Sequence, residues 1–455
     1  MRNLILNTDS YKVSHFAQYP AGTEFVSSYI ESRGGVYPRT VFFGLQAFLK
    51  EYLAKPITAA DIDEAEAVSI AHGVPFNRAG WEYILNAHNG FLPLEIEAVA
   101  EGSVVPVGNV LVQVMNTDPA CAWLTSYVET ALLRAIWYPV TVATVSWNCR
   151  NIIARYLAET ADSLDGLPFK LHDFGSRGAS SEETAALGGL AHLVNFMGTD
   201  TLSAILAARR YYGADMAGFS IPAAEHSTIT SWGRDGESAA YANMLKQFGG
   251  TGKLVAVVSD SYDLWNAIDN LWGGELKTQV EQMGGTLVVR PDSGNPVEVV
   301  PAAVERLMAK FGYRTNSRGY RVLPDCVRLI QGDGVCAASI EAILSAMQKQ
   351  GLSADNVAFG MGGELLQKVN RDTQKFAMKA SAACVNGEWR DVYKDPVTDP
   401  GKRSKRGRLA LIRDEQGYRT VNRSDAPAGN LLVPVFRNGK VLVEWSLEDV
   451  RANAR

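Results

Sequence analysis

LVAVVSDS at residues 254–261 is the stretch on which the fold reading turns. An unbroken apolar run stops at Ser-Asp-Ser, and the helix-like YDLWNAIDNLW (262–272) follows. A strand without polar alternation has both faces covered, as parallel strands joined by helical crossovers do. The pattern recurs downstream. TLVVRPDSGNP (286–296) precedes VEVVPAAVERLMAKF (297–311), VRLIQGDGV (327–335) precedes SIEAILSAMQKQ (339–350), and NVAFGMGG (356–363) precedes a shorter helical segment. Upstream, FKLHDFGSRG (169–178) leads into SSEETAALGGLAHLVNF (180–196), where Ser180 and Glu183 have capping-box spacing. Closed β/α barrels and open doubly wound sheets share this alternation, and both place their sites at the carboxyl ends of the strands. Five or more such units without a GxGxxG fingerprint favour an α/β fold built as an irregular β/α barrel, expected over residues 146–379.

The flanks read differently. Strand-like FVSSYIESRG (25–34), helical FFGLQAFLKEYL (42–53) and ADIDEAEAVSIAHG (60–73), and the β-rich stretch 92–118 precede a long apolar helical run at 123–157. After residue 380 a basic stretch, KDPVTDPGKRSKRGRLAL (394–411), leads to short strands in LLVPVFRNGKVLVEW (431–445). Residues 1–145 and 380–455 are expected to form a second, α+β domain together.

The 455 residues are 47% hydrophobic and 20% charged with a net charge of −5, so no global basic field recruits nucleic acid or an anionic membrane. An anionic substrate has to be met by locally placed Arg and Lys. The five cysteines are scattered without CxxC spacing, which argues against a disulfide framework or a zinc site and for a reducing compartment. Neither a signal-peptide h-region nor an 18-residue apolar window occurs, so a cytoplasmic protein is expected.

Asp173, Phe174, Arg177, Asp200, His226, Asp260, Arg290, Asp292, Gly332, Asp333, Gly362 and Gly363 all follow apolar runs and fall on one rim. Arginine holds phosphate bidentately, glycine lets backbone N–H groups approach it, and carboxylates orient ribose hydroxyls or the water shell of Mg²⁺. A phosphorylated sugar suits the set, although an Asp after a strand is also an ordinary helix N-cap. His226, in GFSIPAAEHSTITSW (218–232), could accept either a phosphoryl group or a proton. The run GKRSKRGRL (401–409) fits a solvated loop, a phosphate-facing loop or a nucleic-acid contact.

NTDSYKVSHFAQYP, KLHDFGSRG, SSEETA, LVNFMGTDT, SIPAAEHSTIT, VSDSYD, RPDSGNP, IQGDGV and KDPVTDP with KRSKRGRL occur in order from residue 7 to residue 409. Together they resemble the nicotinamide phosphoribosyltransferase family. The resemblance implies a type II phosphoribosyltransferase fold, a homodimer with shared sites, and formation of nicotinamide mononucleotide from nicotinamide and phosphoribosyl pyrophosphate. By motif, Phe174 and the partner protomer's Tyr11 sandwich the nicotinamide ring. Asp200 accepts from the carboxamide and repels a carboxylate, and Ser220 is a further substrate-binding residue. Arg177, Arg290, Asp292, Gly332, Asp333, Gly362, Gly363 and Arg371 bind the nucleotide. Arg33, Arg177, His226, Arg290, Lys379 and Lys394 bind diphosphate. His226, Asp260 and Asp292 are the implied catalytic residues: His226 is the phosphohistidine, charged by ATP as co-substrate, with Asp260 assisting it and Mg²⁺ accompanying phosphoribosyl pyrophosphate; no metal site of the protein's own is implied. Ser176, Glu364 and Ala377 depart from the family pattern. The rival readings are a nicotinate phosphoribosyltransferase, against which Asp200 argues, and a non-catalytic binding protein on the same fold.

Overall fold

The computed structural model describes residues 3–398, 403–426 and 429–455. They fall into two compact units: unit 1 is Met1–Thr144, Ala208–Ala214 and Val369–Arg455, and unit 2 is Val145–Ala207 and Asp215–Lys368. Among the described residues, no helix is long and apolar enough to cross a membrane.

Unit 1 is organised by a seven-stranded antiparallel sheet. Its order is Glu388–Asp391, Phe376–Val385, Thr23–Ser32, Val110–Asn116, Leu94–Ala98, Val433–Arg437 and Lys440–Val441. Thr23–Ser32 pairs on one side with Phe376–Val385 and on the other with Val110–Asn116, so the two ends of the chain share one sheet. The expected boundary at residue 380 would cut Phe376–Val385 in two. Its register with Thr23–Ser32 instead keeps it whole in unit 1, and the boundary lies at Lys368/Val369. Beneath the sheet Trp81 is fully buried, with Trp123 and Tyr127 edge-on to it at 4.9 and 5.1 Å between ring centroids. The helix Ala59–Ala71 starts at a capping box in which Asp61 donates its N–H to Thr58 while its carboxylate accepts from the Thr58 N–H.

Unit 2 contains the parallel strands β1 (Leu171–Asp173), β2 (Gly198–Thr199), β3 (Leu254–Val258), β4 (Thr286–Arg290), β5 (Val327–Gln331) and β6 (Val357–Met361). Their order in the sheet is β2-β1-β6-β5-β4-β3, which leaves β2 and β3 as its edges. The segment between those edges bridges them. Phe219 pairs in parallel with Gly198 of β2, and Ala223 pairs in parallel with Ala256 of β3. Backbone bonds reinforce both bridges, Thr199 N–H to Phe219 O at 3.0 Å and Ala256 N–H to Pro222 O at 2.9 Å. The curled sheet is thereby closed into an irregular β/α barrel, with a stave too short and too proline-limited to form a full ladder. Ala256, Val288 and Ile330 form a small cluster with Phe174, Ile221 and Ala358 against it. Their strand neighbours Val255, Val257, Leu287, Val289, Leu329 and Phe359 are fully buried as well. That two-sided burial is why these strands read as continuous apolar runs.

The helix after β1 spans Glu182–His192, and its N-cap is Ser181, which accepts from the Thr184 N–H at 3.1 Å. The expected Ser180 pairing is displaced by one residue, because Ser180 N–H is engaged by the Gln367 side chain. At the other end His192 is fully buried. Its Nδ1 lies 3.0 Å from Ser146 Oγ and its Nε2 3.2 Å from the carbonyls of Leu171 and Gly198. Burial pushes its pKa down from 6.5 to about 3. Between those values the unfolded chain binds a proton that the folded chain refuses, so His192 lowers stability as pH falls through this window. Urea denaturation at pH 7 and pH 5 should show a smaller midpoint loss in His192→Gln than in the wild type; equal losses would remove this residue from the acid response.

Candidate active site

Each parallel strand of unit 2 ends in, or is followed at its carboxyl end by, a polar, aromatic or glycine residue. Phe174 follows β1, Asp200 follows β2, Asp260 and Ser261 follow β3, and Arg290 ends β4 with Asp292 two residues on. Gly332 and Asp333 follow β5, and Gly362 and Gly363 follow β6. The closing segment leads to His226, the first residue of the short helix His226–Thr230.

Three of these groups converge on Gly332. A Cβ there would lie 3.4 Å from Asp292 Oδ1, 3.5 Å from Phe174 Cε2 and 3.7 Å from Arg290 Cδ. The Phe174 ring also lies directly against β6, since a Cβ on Gly360 would stand 2.0 Å from Phe174 Cε2. Only a glycine admits a ring that close. Arg290 is 17% exposed; its Nη2 lies 3.5 Å from Asp292 Oδ2, and its buried Nε has no hydrogen-bond partner among the described residues.

A second group gathers at β3 and β4. His226 Nδ1 lies 3.0 Å from Ser261 Oγ, while Nε2 lies 3.5 Å from Asp292 Oδ2 and 4.0 Å from Asp260 Oδ1. Asp260 is almost wholly buried, and its Oδ2 accepts from the Asp292 N–H at 3.0 Å. Its Oδ1 is buried with no hydrogen-bond partner among the described residues. Buried carboxylate oxygens are rarely left so, and one beside a histidine fits a group that acquires charge. On the far side, Ser220 Oγ donates to Asp200 Oδ1 at 2.5 Å, and the Asp200 N–H is held by the Asp173 carbonyl at 2.9 Å. Asp200 is exposed and aimed by these bonds.

Asp173 has a different part from its neighbours on the rim. Its buried carboxylate accepts from the Gly175 N–H at 2.8 Å and from Thr199 Oγ1 at 3.3 Å, and burial raises its pKa. It ties β1 to β2 and has no free face for a ligand. Arg177 is exposed in the turn Ser176–Gly178. Asp333 is exposed, and its carbonyl accepts from Gln331 Nε2 at 2.7 Å. Glu364 pairs with Lys368 at 2.5 Å, so its charge is locally compensated.

Tyr11, Arg33, Arg371, Lys379 and Lys394 belong to unit 1. Tyr11 is 59% exposed there. In the basic stretch, Gly401 and Lys402 lie outside the described residues. The cations beyond them are engaged within unit 1: Arg403 with Asp395, Lys405 with Glu31, Arg406 with Asp391 at 3.8 Å, and Arg408 over the Trp389 ring at 5.1 Å. Such pairing disfavours the nucleic-acid reading of this run.

Residues 169–440 match the nicotinate phosphoribosyltransferase family, and residues 3–96 match the nicotinamide phosphoribosyltransferase N-terminal domain. A nicotinamide phosphoribosyltransferase of Xanthomonas campestris is 57% identical, covering 99% of this chain and 98% of the relative. The chain belongs to the nicotinamide phosphoribosyltransferase family. Another such relative, from Acinetobacter baylyi, is 33% identical over 97% of this chain and 95% of its own. Among solved structures, a nicotinate-nucleotide pyrophosphorylase from Pyrococcus furiosus aligns with a TM-score of 0.64 at 15% identity, covering 99% of this chain and 95% of that one. Human nicotinic acid phosphoribosyltransferase aligns at 0.59 and 18% identity, covering 98% of this chain and 92% of that one. At such low identity these two neighbours speak to the fold, which they share along nearly its whole length.

Within this family member, two residues of the site escaped sequence reasoning. Ser261 stands one position beyond Asp260 and reads as a turn serine, and its contact with His226 spans 35 residues. Gly360 lies inside a buried strand, where an isolated glycine signals close approach of another group. That signal is present in the sequence, two residues before the Gly362-Gly363 pair.

Proposed function

We propose that the chain transfers the phosphoribosyl group of phosphoribosyl pyrophosphate to nicotinamide, giving nicotinamide mononucleotide and pyrophosphate. The observation that carries this reading is the convergence of Phe174, Arg290 and Asp292 on the bare Cα of Gly332. An aromatic face for a flat base, a cation for phosphate and a carboxylate for ribose stand there with no side chain between them. The pyridine nitrogen attacks the anomeric carbon, a C–N bond forms, and the C–O bond to pyrophosphate breaks. That nitrogen already carries its lone pair, so no general base is needed. The protein aligns the two substrates and neutralises the departing charge with Arg290 and Arg177. Mg²⁺ arrives with the diphosphate as part of that substrate.

His226 is the ATP-dependent element in this proposal. Asp260 and Asp292 face its Nε2, which favours the proton there and leaves the Nδ1 lone pair, beside Ser261, as nucleophile. That lone pair forms an N–P bond to the γ-phosphorus, ADP departs, and water later hydrolyses the phosphohistidine. Asp200, held by Ser220, accepts from the carboxamide and repels a carboxylate. A homodimer in which the partner's Tyr11 covers the free face of the base completes the reading. A reducing cytoplasm suits the five cysteines, all free among the described residues.

Product formation with nicotinamide or nicotinate, with and without ATP, tests these roles. Asp200→Ala is expected to lower the preference for the amide by about 10–100-fold, the scale of one charge-assisted hydrogen bond. His226→Ala is expected to keep basal turnover and lose ATP stimulation. Unchanged base preference in the first variant, or intact stimulation in the second, would refute the role assigned to that residue.

A further inference from the structure

Unit 1 carries a polar cluster on one face of its sheet that centres on a buried acid. The Glu31 side chain is 4% exposed and accepts from Arg33 Nε at 3.1 Å, with Lys405 Nζ in contact on its other oxygen. Tyr29, two residues earlier on the same strand, accepts the Lys405 backbone N–H at 2.8 Å, and its own hydroxyl reaches Glu31 Oε1 at 3.4 Å. Lys379 stands opposite Tyr29 in the sheet register. Burial depresses the Lys379 pKa; Glu129 opposes that shift, and Arg33, Lys12 and Arg371 add to it. Lysines and arginines therefore outnumber the carboxylates Glu31 and Glu129 around this point. Arg33 Nη2 is buried and has no hydrogen-bond partner among the described residues. A guanidinium clamped through Nε with Nη2 unsatisfied is prepared for an incoming oxyanion.

We propose that Glu31 is a positioning residue that holds Arg33 and Lys405 for a diphosphate group, making Lys405 a further cation of that subsite. The proposal rests on the phosphoribosyltransferase reading above, which assigns Arg33 and Lys379 to diphosphate. Two physical roles for Glu31 predict opposite results. If it only offsets surplus positive charge, its neutralisation strengthens anion binding. If it fixes the geometry of two cations, neutralisation weakens binding despite the more favourable net charge.

Titration calorimetry of the full-length protein with pyrophosphate and Mg²⁺ separates them. Glu31→Gln and Lys405→Gln are each expected to bind pyrophosphate about tenfold more weakly, with KM for phosphoribosyl pyrophosphate rising far more than kcat falls and KM for nicotinamide unmoved. Lys405→Arg is expected to recover most of the loss. Binding by Glu31→Gln as tight as wild type, or tighter, overturns the proposal. Should Glu31→Gln fail to fold, Lys405→Gln decides alone, because Lys405 is 26% exposed and its loss leaves Glu31 paired with Arg33. Wild-type protein that binds no pyrophosphate would bring down the parent reading as well, whereas wild-type binding with unaffected variants would refute only the role of Glu31 and Lys405.

Discussion

Arg290→Ala is expected to lower kcat/KM for phosphoribosyl pyrophosphate by about 10²–10³-fold, the scale of losing one preorganised donor to a developing anion. Arg290 ends β4 with a side chain that is mostly buried. Its Nη2 has a long contact to Asp292, and its Nε has no hydrogen-bond partner among the described residues. A buried charged N–H left unsatisfied is costly, so the free protein pays for a donor that a substrate oxygen then satisfies. Most of the lost rate should therefore appear without loss of fold, and the thermal midpoint should change little. Arg290→Lys should recover only a small part, since an ammonium cannot reproduce the planar fork. Steady-state kinetics of both variants, with thermal unfolding alongside, check the prediction. A threefold loss or less would exclude Arg290 from the reacting centre.

Gly360→Ala is expected to damage both the barrel and the base site. It would place a Cβ 2.0–2.1 Å from two ring atoms of Phe174, and the backbone beneath the ring is a strand paired on both sides. The ring has to move. We expect a stability loss of about 1–3 kcal/mol from overpacking, together with a KM for nicotinamide raised about tenfold or more as the stacking face is lost. The double variant Gly360→Ala/Phe174→Ala isolates the cause. Removing the ring removes the clash, so the double variant should be no less stable than Phe174→Ala alone. Additive losses would show that the alanine disturbs β6 itself and that the Phe174 contact is incidental.

These two residues also show what could be read before the structure. β3, β4 and β5 were plain, because two-sided burial writes an uninterrupted apolar run that a strand–turn–helix grammar resolves. Their carboxyl-end residues followed at once, and Arg290, Asp292, Asp260 and His226 do meet. The closing stave was not legible. Phe219 to Ala223 includes Pro222 and makes only a bridge at each edge, so no full-length strand pattern marks it. Asp173 looked like its neighbours on the rim, yet its burial and its bonds to Gly175 and Thr199 make it a brace. Sequence position cannot tell an acid that faces solvent from one that caps a turn. A boundary at residue 380 divides the Phe376–Val385 strand because it follows the barrel directly in sequence, whereas its membership of unit 1 is fixed by pairing with residues some 350 positions away. The Glu31 cluster was hidden for the same reason, since its cations come from both ends of the chain.

The central claim is that this site joins phosphoribosyl pyrophosphate to the amide form of the base, and a direct competition tests it most plainly. Equal concentrations of nicotinamide and nicotinate, supplied together with limiting phosphoribosyl pyrophosphate, Mg²⁺ and ATP, would be followed by chromatography of the two mononucleotides. The account predicts that nicotinamide mononucleotide is by far the main product. A predominance of nicotinate mononucleotide would contradict it, and would mean that Asp200, as Ser220 holds it, does not exclude a carboxylate.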